Sequence, residues 1–360
     1  MSEEGLKLTT YFGERDRANG RFLADALLDV YERHAFQTSV LLRGIEGFGI
    51  KHRLQTQRLL SLSEDLPIVS VAVDTRPRIE AVLDEVIDLS GHGLVSLERA
   101  RLFTGGVDHP LPSAEPDAAS KLTVYCGRQE RAGGRPAYLA VVDLLRERGL
   151  AGATVLLGVD GTAHGVRQRA AFFGRNAQVP LMIICVGDGD RVAQVLQELD
   201  ALLVRPLMTL ERVLVCKRDG QLLAEPQDVP ETHESGLGVW HKLMVYASEQ
   251  AQAGGRPLYV ELVRRLRAAG ASGATALRGT WGYHGDHPPH GDTFWSLRRR
   301  VPVLTVVVDT PPRTRRWFEI VDELTQETGL VTTEMVPALR ATGPDVGHGG
   351  LRLVPRRRSA

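Results

Sequence analysis

Long hydrophobic runs are missing from this 360-residue chain. No stretch approaches the roughly 18 consecutive apolar residues of a membrane-crossing helix, which excludes that class. Net charge is missing too, because 44 Lys and Arg balance 44 Asp and Glu. Broad nucleic-acid binding needs a basic face, so it is excluded with it. Cysteine is scarce: Cys126, Cys185 and Cys216 all lie in the middle third and match no C-x-x-C spacing. A disulfide framework and a zinc cluster of cysteines are therefore not expected. Few thiols, and a start at Met1-Ser2-Glu3-Glu4 without an apolar leader, predict a cytoplasmic location. The stretch Arg352 to Arg358 reads as a short solvated basic tail.

What is present is a repeat. Lys7-Leu8-Thr9, Lys121-Leu122-Thr123 and Lys242-Leu243-Met244 each open a block. Asn19-Gly20-Arg21, Gly133-Gly134-Arg135 and Gly254-Gly255-Arg256 follow, then Gly44…Gly47, Gly158…Gly161 and Gly279…Gly282. Pro67, Pro180 and Pro302 each lead an apolar run, and Glu98, Glu211 and Glu334 close the blocks. Three copies of about 95 residues in one chain suggest a trimer tied into a single polypeptide. The expected domains are residues 5–103, 120–217 and 239–340, joined by polar, proline-bearing linkers.

Within block one, period-two and period-3.6 patterns predict strand 6–13, helix 24–34, strand 38–43, strand 67–74, a helix from Pro77, and strand 94–102. The order βαββαβ is the ferredoxin-like, α+β arrangement. The third strands, such as Ile68-Val69…Val71-Ala72-Val73, are apolar on both faces of the pleat. Helices cover only one face of such a sheet, so sister sheets are expected to cover the other. The predicted architecture is three ferredoxin-like domains packed as a pseudo-trimer.

Lys7-Leu8-Thr9, Arg43-Gly44-Ile45-Glu46-Gly47-Phe48-Gly49 and Asp65-Leu66-Pro67-Ile68-Val69 resemble the DUF190 family of PII-like proteins. Blocks two and three look like diverged copies. The resemblance implies kinship with PII signalling proteins, which bind adenine nucleotides in clefts between subunits. Some relatives are encoded beside fluoride channels, which points to a membrane channel as a protein partner. It also implies that Gly44, Gly47, Phe48 and Gly49 cradle ligand phosphates, with Lys51, His52 and Arg53 adding charge. Glycines let backbone N–H groups approach an anion closely. A second phosphate-facing loop would be Gly91-His92-Gly93. Blocks two and three lack both patterns, so block one is expected to hold the site and a recognition loop, Gly47 to about Ser63.

Other residues carry competing readings. His284, His287 and His290 crowd one proline-rich stretch and form a candidate zinc or nickel site. A flexible loop is the plainer reading. Arg21, Arg135 and Arg256 either face an interdomain cleft or pair with local acids. Asp74, Asp188 and Asp309 are placed to cap the second helices. His164 reads as a loop residue. No nucleophile–base pair or opposed carboxylate pair recurs in all blocks, so an enzyme is not expected. The function expected is regulatory binding of a small anionic ligand, possibly an adenine nucleotide, at an interdomain cleft, with no cofactor identified. A metal-tolerance protein using the histidines and a phosphoester hydrolase are the alternatives. The assembly reading predicts one chain per particle, or a small closed multiple, by light scattering; beads-on-a-string behaviour in small-angle scattering would overturn it.

Overall fold

A computed structural model of the chain describes residues 2–49, 55–56, 65–106, 119–163, 166–167, 179–284, 290–291, 301–343 and 347–356. Repeat one contains β1 (Ser2–Gly13), α1 (Leu23–Arg33), β2 (Thr38–Arg43), β3 (Glu46–Phe48), β4 (Pro67–Thr75), α2 (Arg76–Glu80), α3 (Leu83–Ser90) and β5 (Gly93–Phe103). Leu23, Ala26, Leu27, Val30 and Tyr31 supply the buried stripe of α1 at helical spacing. The helix expected from Pro77 is broken in two. Ala81 and Val82 form a turn there, with Ala81 N–H bonded to Pro77 O and Val82 N–H to Ile79 O.

Repeat two contains β6 (Ala119–Gly127), α4 (Ala137–Glu147), β7 (Gly152–Leu157), β8 (Asp160–Ala163), β9 (Pro180–Asp188), α5 (Gly189–Leu202) and β10 (Leu207–Arg218). Repeat three contains β11 (Trp240–Ser248), α6 (Leu258–Ala268), β12 (Ala274–Arg278), β13 (Trp281–His284), β14 (Pro302–Asp309), α7 (Pro311–Leu324), β15 (Leu330–Val336), β16 (Ala338–Thr342) and β17 (Gly347–Gly350). Among the described residues no helix is long and apolar enough to cross a membrane.

All three repeats use one strand order, with the first strand central and antiparallel to both the third and the last. In repeat one, β1 lies between β4 and β5, and β2 flanks β4. The same holds for β6, β9, β10 and β7, and for β11, β14, β15 and β12. The result is a mixed α/β fold with a continuous antiparallel sheet of 21 strands, short ones included. Continuity comes from a cycle of last strands. The end of β5 pairs with the start of β10, the end of β10 with the start of β15, and β16 with the start of β5.

Both faces of each sheet are covered. One core cluster draws on all three repeats, including Val71, Leu102, Met182, Leu207, Val306 and Leu339. Three further clusters lie under the helices of each repeat. The solvated tail read from Arg352 to Arg358 is corrected over its described part. Leu351 and Leu353 pack against the helical core of repeat one, and Val354 is buried. Arg99 donates to the Val354 carbonyl, and Arg356 reaches Glu4 at 3.1 Å.

At the centre the block-opening lysines meet the block-closing glutamates. The cross-strand registers place Lys7 opposite Glu98, Lys121 opposite Glu211 and Lys242 opposite Glu334. All six are at most 6% exposed. The ion pairs also run between repeats: Lys7 to Glu211, Lys121 to Glu334 at 2.6 Å, and Lys242 to Glu98 at 2.9 Å. Three cations and three anions cancel, which is the condition for burying them. Burial pushes the Glu211 carboxyl up, but Lys121, Lys7 and Lys242 outweigh it and hold it well below its ordinary 4.5. Glu98 is held down in the same way, chiefly by Lys242. Lys7 is desolvated more than Glu211 and Glu98 compensate, so the pKa of its ammonium is lowered.

Glu211→Gln leaves Lys7 buried without its ion-pair partner. It should cost about 3–5 kcal/mol, as breaking a buried pair does, and lower the urea midpoint. A carboxyl held down in the folded state gives stability that is complete above its unfolded value near 4.5 and lost as pH falls through the folded one. Wild-type stability should therefore fall on acidification below that value, and fall less steeply in Glu211→Gln. An unchanged acid limb would refute the assignment.

Candidate functional site

The glycines that recur after the second strands make a crossing between repeats. Gly44, Gly158 and Gly279 each donate to the carbonyl of the proline that opens the third strand, at 2.7–2.9 Å. The next residue then bonds to another repeat's second strand: Ile45 to Ala276, Val159 to Leu41 and Thr280 to Val155, at 2.7–2.9 Å. At the second glycine the backbones nearly touch. A Cβ would lie 2.6 Å from Ala274 O at Gly47, 2.1 Å from Ser39 O at Gly161 and 2.2 Å from Ala153 O at Gly282. Such separations exclude any side chain. Phe48 enters the core of repeat three, only 2% exposed. Tyr283 enters the core of repeat two and donates to Leu150 O at 2.9 Å. Gly44, Gly47 and Phe48, read from the resemblance as ligand residues, thus have a packing role.

These crossings produce inter-repeat clefts that have diverged. Between repeats two and three lies a cavity of about 350 Å³. Its walls include Ile184 and Val186 of repeat two and Tyr246, Tyr283, Pro302 and Leu330 of repeat three. Thr154, Ser248, Gln250, Thr328 and the His284 ring add polar atoms, and Arg218 adds a cationic side chain. Arg218 Nε is buried with no hydrogen-bond partner among the described residues. His284 Nε2 lies 2.6 Å from Asp219 Oδ1. Asp219 sits in a tight turn at φ 47°, pinned by its N–H to Gly329 O at 2.8 Å.

The corresponding opening between repeats one and two is lined by Gln37, Thr104, Gly105, Asp200, Arg205 and Pro206, among others. Its inner end is filled by side-chain bonds: Thr38 Oγ1 donates to Thr162 O at 3.0 Å, and Ser39 and Thr162 hydroxyls lie 2.9 Å apart. Arg167 bridges the same repeats, reaching Asp25 at 2.9 Å, Asp29 at 2.7 Å and Asp160 at 3.0 Å. At the crossing of repeat one onto repeat three, Gly49 faces open space. Gly91 caps α3 at φ 29°, also in the open, and His92 is exposed. A Cβ on Gly93 would lie 2.8 Å from Tyr11 O, so it too is sterically required. Lys51, His52 and Arg53 lie outside the described residues, as does nearly all of the expected recognition loop beyond Gly49.

The remaining residues named from sequence separate cleanly. Arg21 pairs with Asp29 at 2.7 Å, Arg135 with Asp143 at 2.5 Å and Arg256 with Glu261 at 3.6 Å, so all three serve local ion pairs. Asp188 caps α5, accepting from Asp190 and Arg191 N–H. Asp74 and Asp309 do not cap. Asp74 accepts from Gln37 N–H at 2.9 Å, and Asp309 from Trp317 Nε1 at 3.0 Å. All three cysteines are buried, and burial raises each thiol. His284 is engaged with Asp219, while His290 pairs through its backbone with Gly282. His287 and His164 lie outside the described residues. The carboxylates of Glu98, Glu211 and Glu334 approach within 4.8 Å of one another, but three buried lysines already neutralise them. Sequence reasoning missed Arg218 and Asp219 by assigning that stretch to a linker. The signal was Asp219-Gly220, a hairpin dipeptide that joins Arg218 to Gln221.

The profile of the DUF190 family, described as uncharacterised ACR, matches this sequence three times, at residues 5–102, 119–215 and 240–338. A UPF0166 protein of Aquifex aeolicus (strain VF5) is 28% identical over 97 residues, which is 27% of this chain and 90% of that protein. A crystal structure of aspartate kinase from Synechocystis aligns with 96% of this chain and 46% of its own, at 10% identity and a TM-score of 0.24.

The crossing geometry separates two kinds of glycine. Gly161→Ala should destabilise the chain by about 1–3 kcal/mol or more, since backbone of repeat one blocks the new methyl. Gly49→Ala should stay within about 0.5 kcal/mol. Thermal unfolding of the two variants checks this, and equal melting temperatures would refute it.

Proposed function

Because this chain belongs to the DUF190 family, we propose that it is a non-catalytic, PII-like regulatory protein: three ferredoxin-like domains in one pseudo-trimer that bind a small anionic ligand between repeats. The supporting observation is the cavity between repeats two and three. Among the described residues no carboxylate lines it, and the guanidinium-bearing Arg218 does. An anion arriving beside an arginine gains a charge-assisted hydrogen bond. The volume of about 350 Å³ falls within the range of small-molecule sites. This moves the ligand from block one, where the Gly-Phe-Gly stretch pointed, to the cleft beside repeat three.

Signalling follows from position. β13 carries Tyr283 and His284 at the cavity, and the same strand pairs with β7 of repeat two. A ligand there contacts both repeats and biases their relative setting, which a partner protein reads. The test is a thermal-shift and calorimetric screen of the full chain against nucleotides, other phosphate esters and carboxylates. A ligand at about 100 times its Kd should stabilise the chain by about 2.7 kcal/mol. Binding should saturate at one per chain, and Thr328→Trp, which fills the cavity, should abolish it. Three equal sites, or binding unaffected by that substitution, would refute the assignment.

A further inference from the structure

We infer that the cleft between repeats two and three takes a ligand with a single anionic group on an apolar, ring-sized body, and that this anion competes with Asp219 for His284. The inference rests on the regulatory reading above and names the ligand class of that site.

The charge count comes first. Among the described lining residues Arg218 is the one with a fixed positive charge, and the His284 ring is already matched by Asp219. A polyphosphate brings several charges and needs several cations to offset its desolvation. One carboxylate, sulfonate or monoester matches what is there. Arg218 lines the cavity and is the cation such a group meets there.

The walls set the body of the ligand. Ile184, Val186, Pro302 and Leu330 present aliphatic carbon. The two tyrosines present ring rather than hydroxyl. Tyr283 Oη is committed to Leu150 O at 2.9 Å, and Tyr246 Oη to Met244 Sδ at 3.6 Å. An aromatic or branched apolar body gains from such walls, and a strongly hydrated one does not.

Asp219 supplies the competition. It belongs to repeat two, whereas His284 belongs to repeat three, so the contact spans the cleft. Its backbone is held left-handed at φ 47°, and its N–H is fixed to Gly329 O. Gly220 follows so closely that a Cβ there would lie 2.0 Å from Gln326 O. The turn therefore cannot shift without disturbing repeat three, and its carboxylate stays on His284 until another anion replaces it. Asp219 acts as a built-in stand-in for the ligand's anionic group.

Calorimetry on the full chain with three probes tests this: 3-phenylpropionate, its neutral amide and ATP. The expected result is one 3-phenylpropionate per chain, bound about tenfold or more tighter than the amide. Arg218→Gln should erase that preference, and Asp219→Asn should tighten the carboxylate several-fold while leaving the amide unchanged. Asn tolerates left-handed backbone, so this variant keeps the turn. Circular dichroism and melting curves establish that both variants fold. Equal affinity for carboxylate and amide, or no gain in Asp219→Asn, overturns the inference. If ATP binds tighter than 3-phenylpropionate and Thr328→Trp abolishes it, the ligand class falls and the regulatory reading stands. If neither these probes nor the wider anion screen binds, both fall.

Discussion

Everything else in this molecule is arranged around six buried charges. Removing three lysines and three glutamates from water costs several kcal/mol per ion, and only close mutual pairing compensates. Here the pairing is cyclic. Lys7 needs Glu211, Lys121 needs Glu334 and Lys242 needs Glu98. Each lysine pairs with a glutamate of another repeat, 144 to 213 residues away in sequence. An apolar centre of the same volume could hold the sheets at least as tightly. It would accept many registers, because hydrophobic contact has no direction. The charges accept one, and that register fixes which strand edge meets which.

The crossings follow from that register. With the sheets facing one another, the segment after each second strand must pass between a proline of its own repeat and the backbone of another. Glycine is the residue that fits, which explains its return in every block even where the neighbouring positions have changed. The aromatic residue one step further then serves a neighbour's core, as Phe48 and Tyr283 do. In repeat two the same position is Thr162, which hydrogen-bonds Ser39 of repeat one instead.

Much of this was legible in the sequence. The repeat, the strand and helix order and the two-faced third strands are all short-range patterns, and they appear where periodicity placed them, apart from the break at Ala81 and Val82 in the second helix. The lysines and glutamates were visible as block markers, yet their meeting was not. A partner such as Glu211 for Lys7 is 204 residues away, and no local pattern reports it. The cavity between repeats two and three was not legible for a related reason. Gly47-Phe48-Gly49 matched a local phosphate signature, whereas the cavity draws on Ile184, Arg218, Tyr246 and His284, which share no motif. The tail was misread because arginines dominate its composition, while the leucines between them do the packing.

Fusing three copies into one chain is what permits the clefts to differ. In a homotrimer one gene writes every cleft, so a change that fills one fills all three. In a single chain the central charges and the crossing glycines stay common to all repeats, because the register fails without them. The positions between are free to diverge. Repeat one against repeat two gained the Arg167 clasp on Asp25 and Asp29. Repeat two against repeat three has a cavity with no carboxylate among its described lining residues, and Asp219 holds His284 of that lining. A clasp in one cleft and a cavity in another cannot coexist in a symmetric assembly of identical subunits. The two junctions therefore differ in a way that symmetry would forbid: one carries the Arg167 clasp and the other the cavity beside His284.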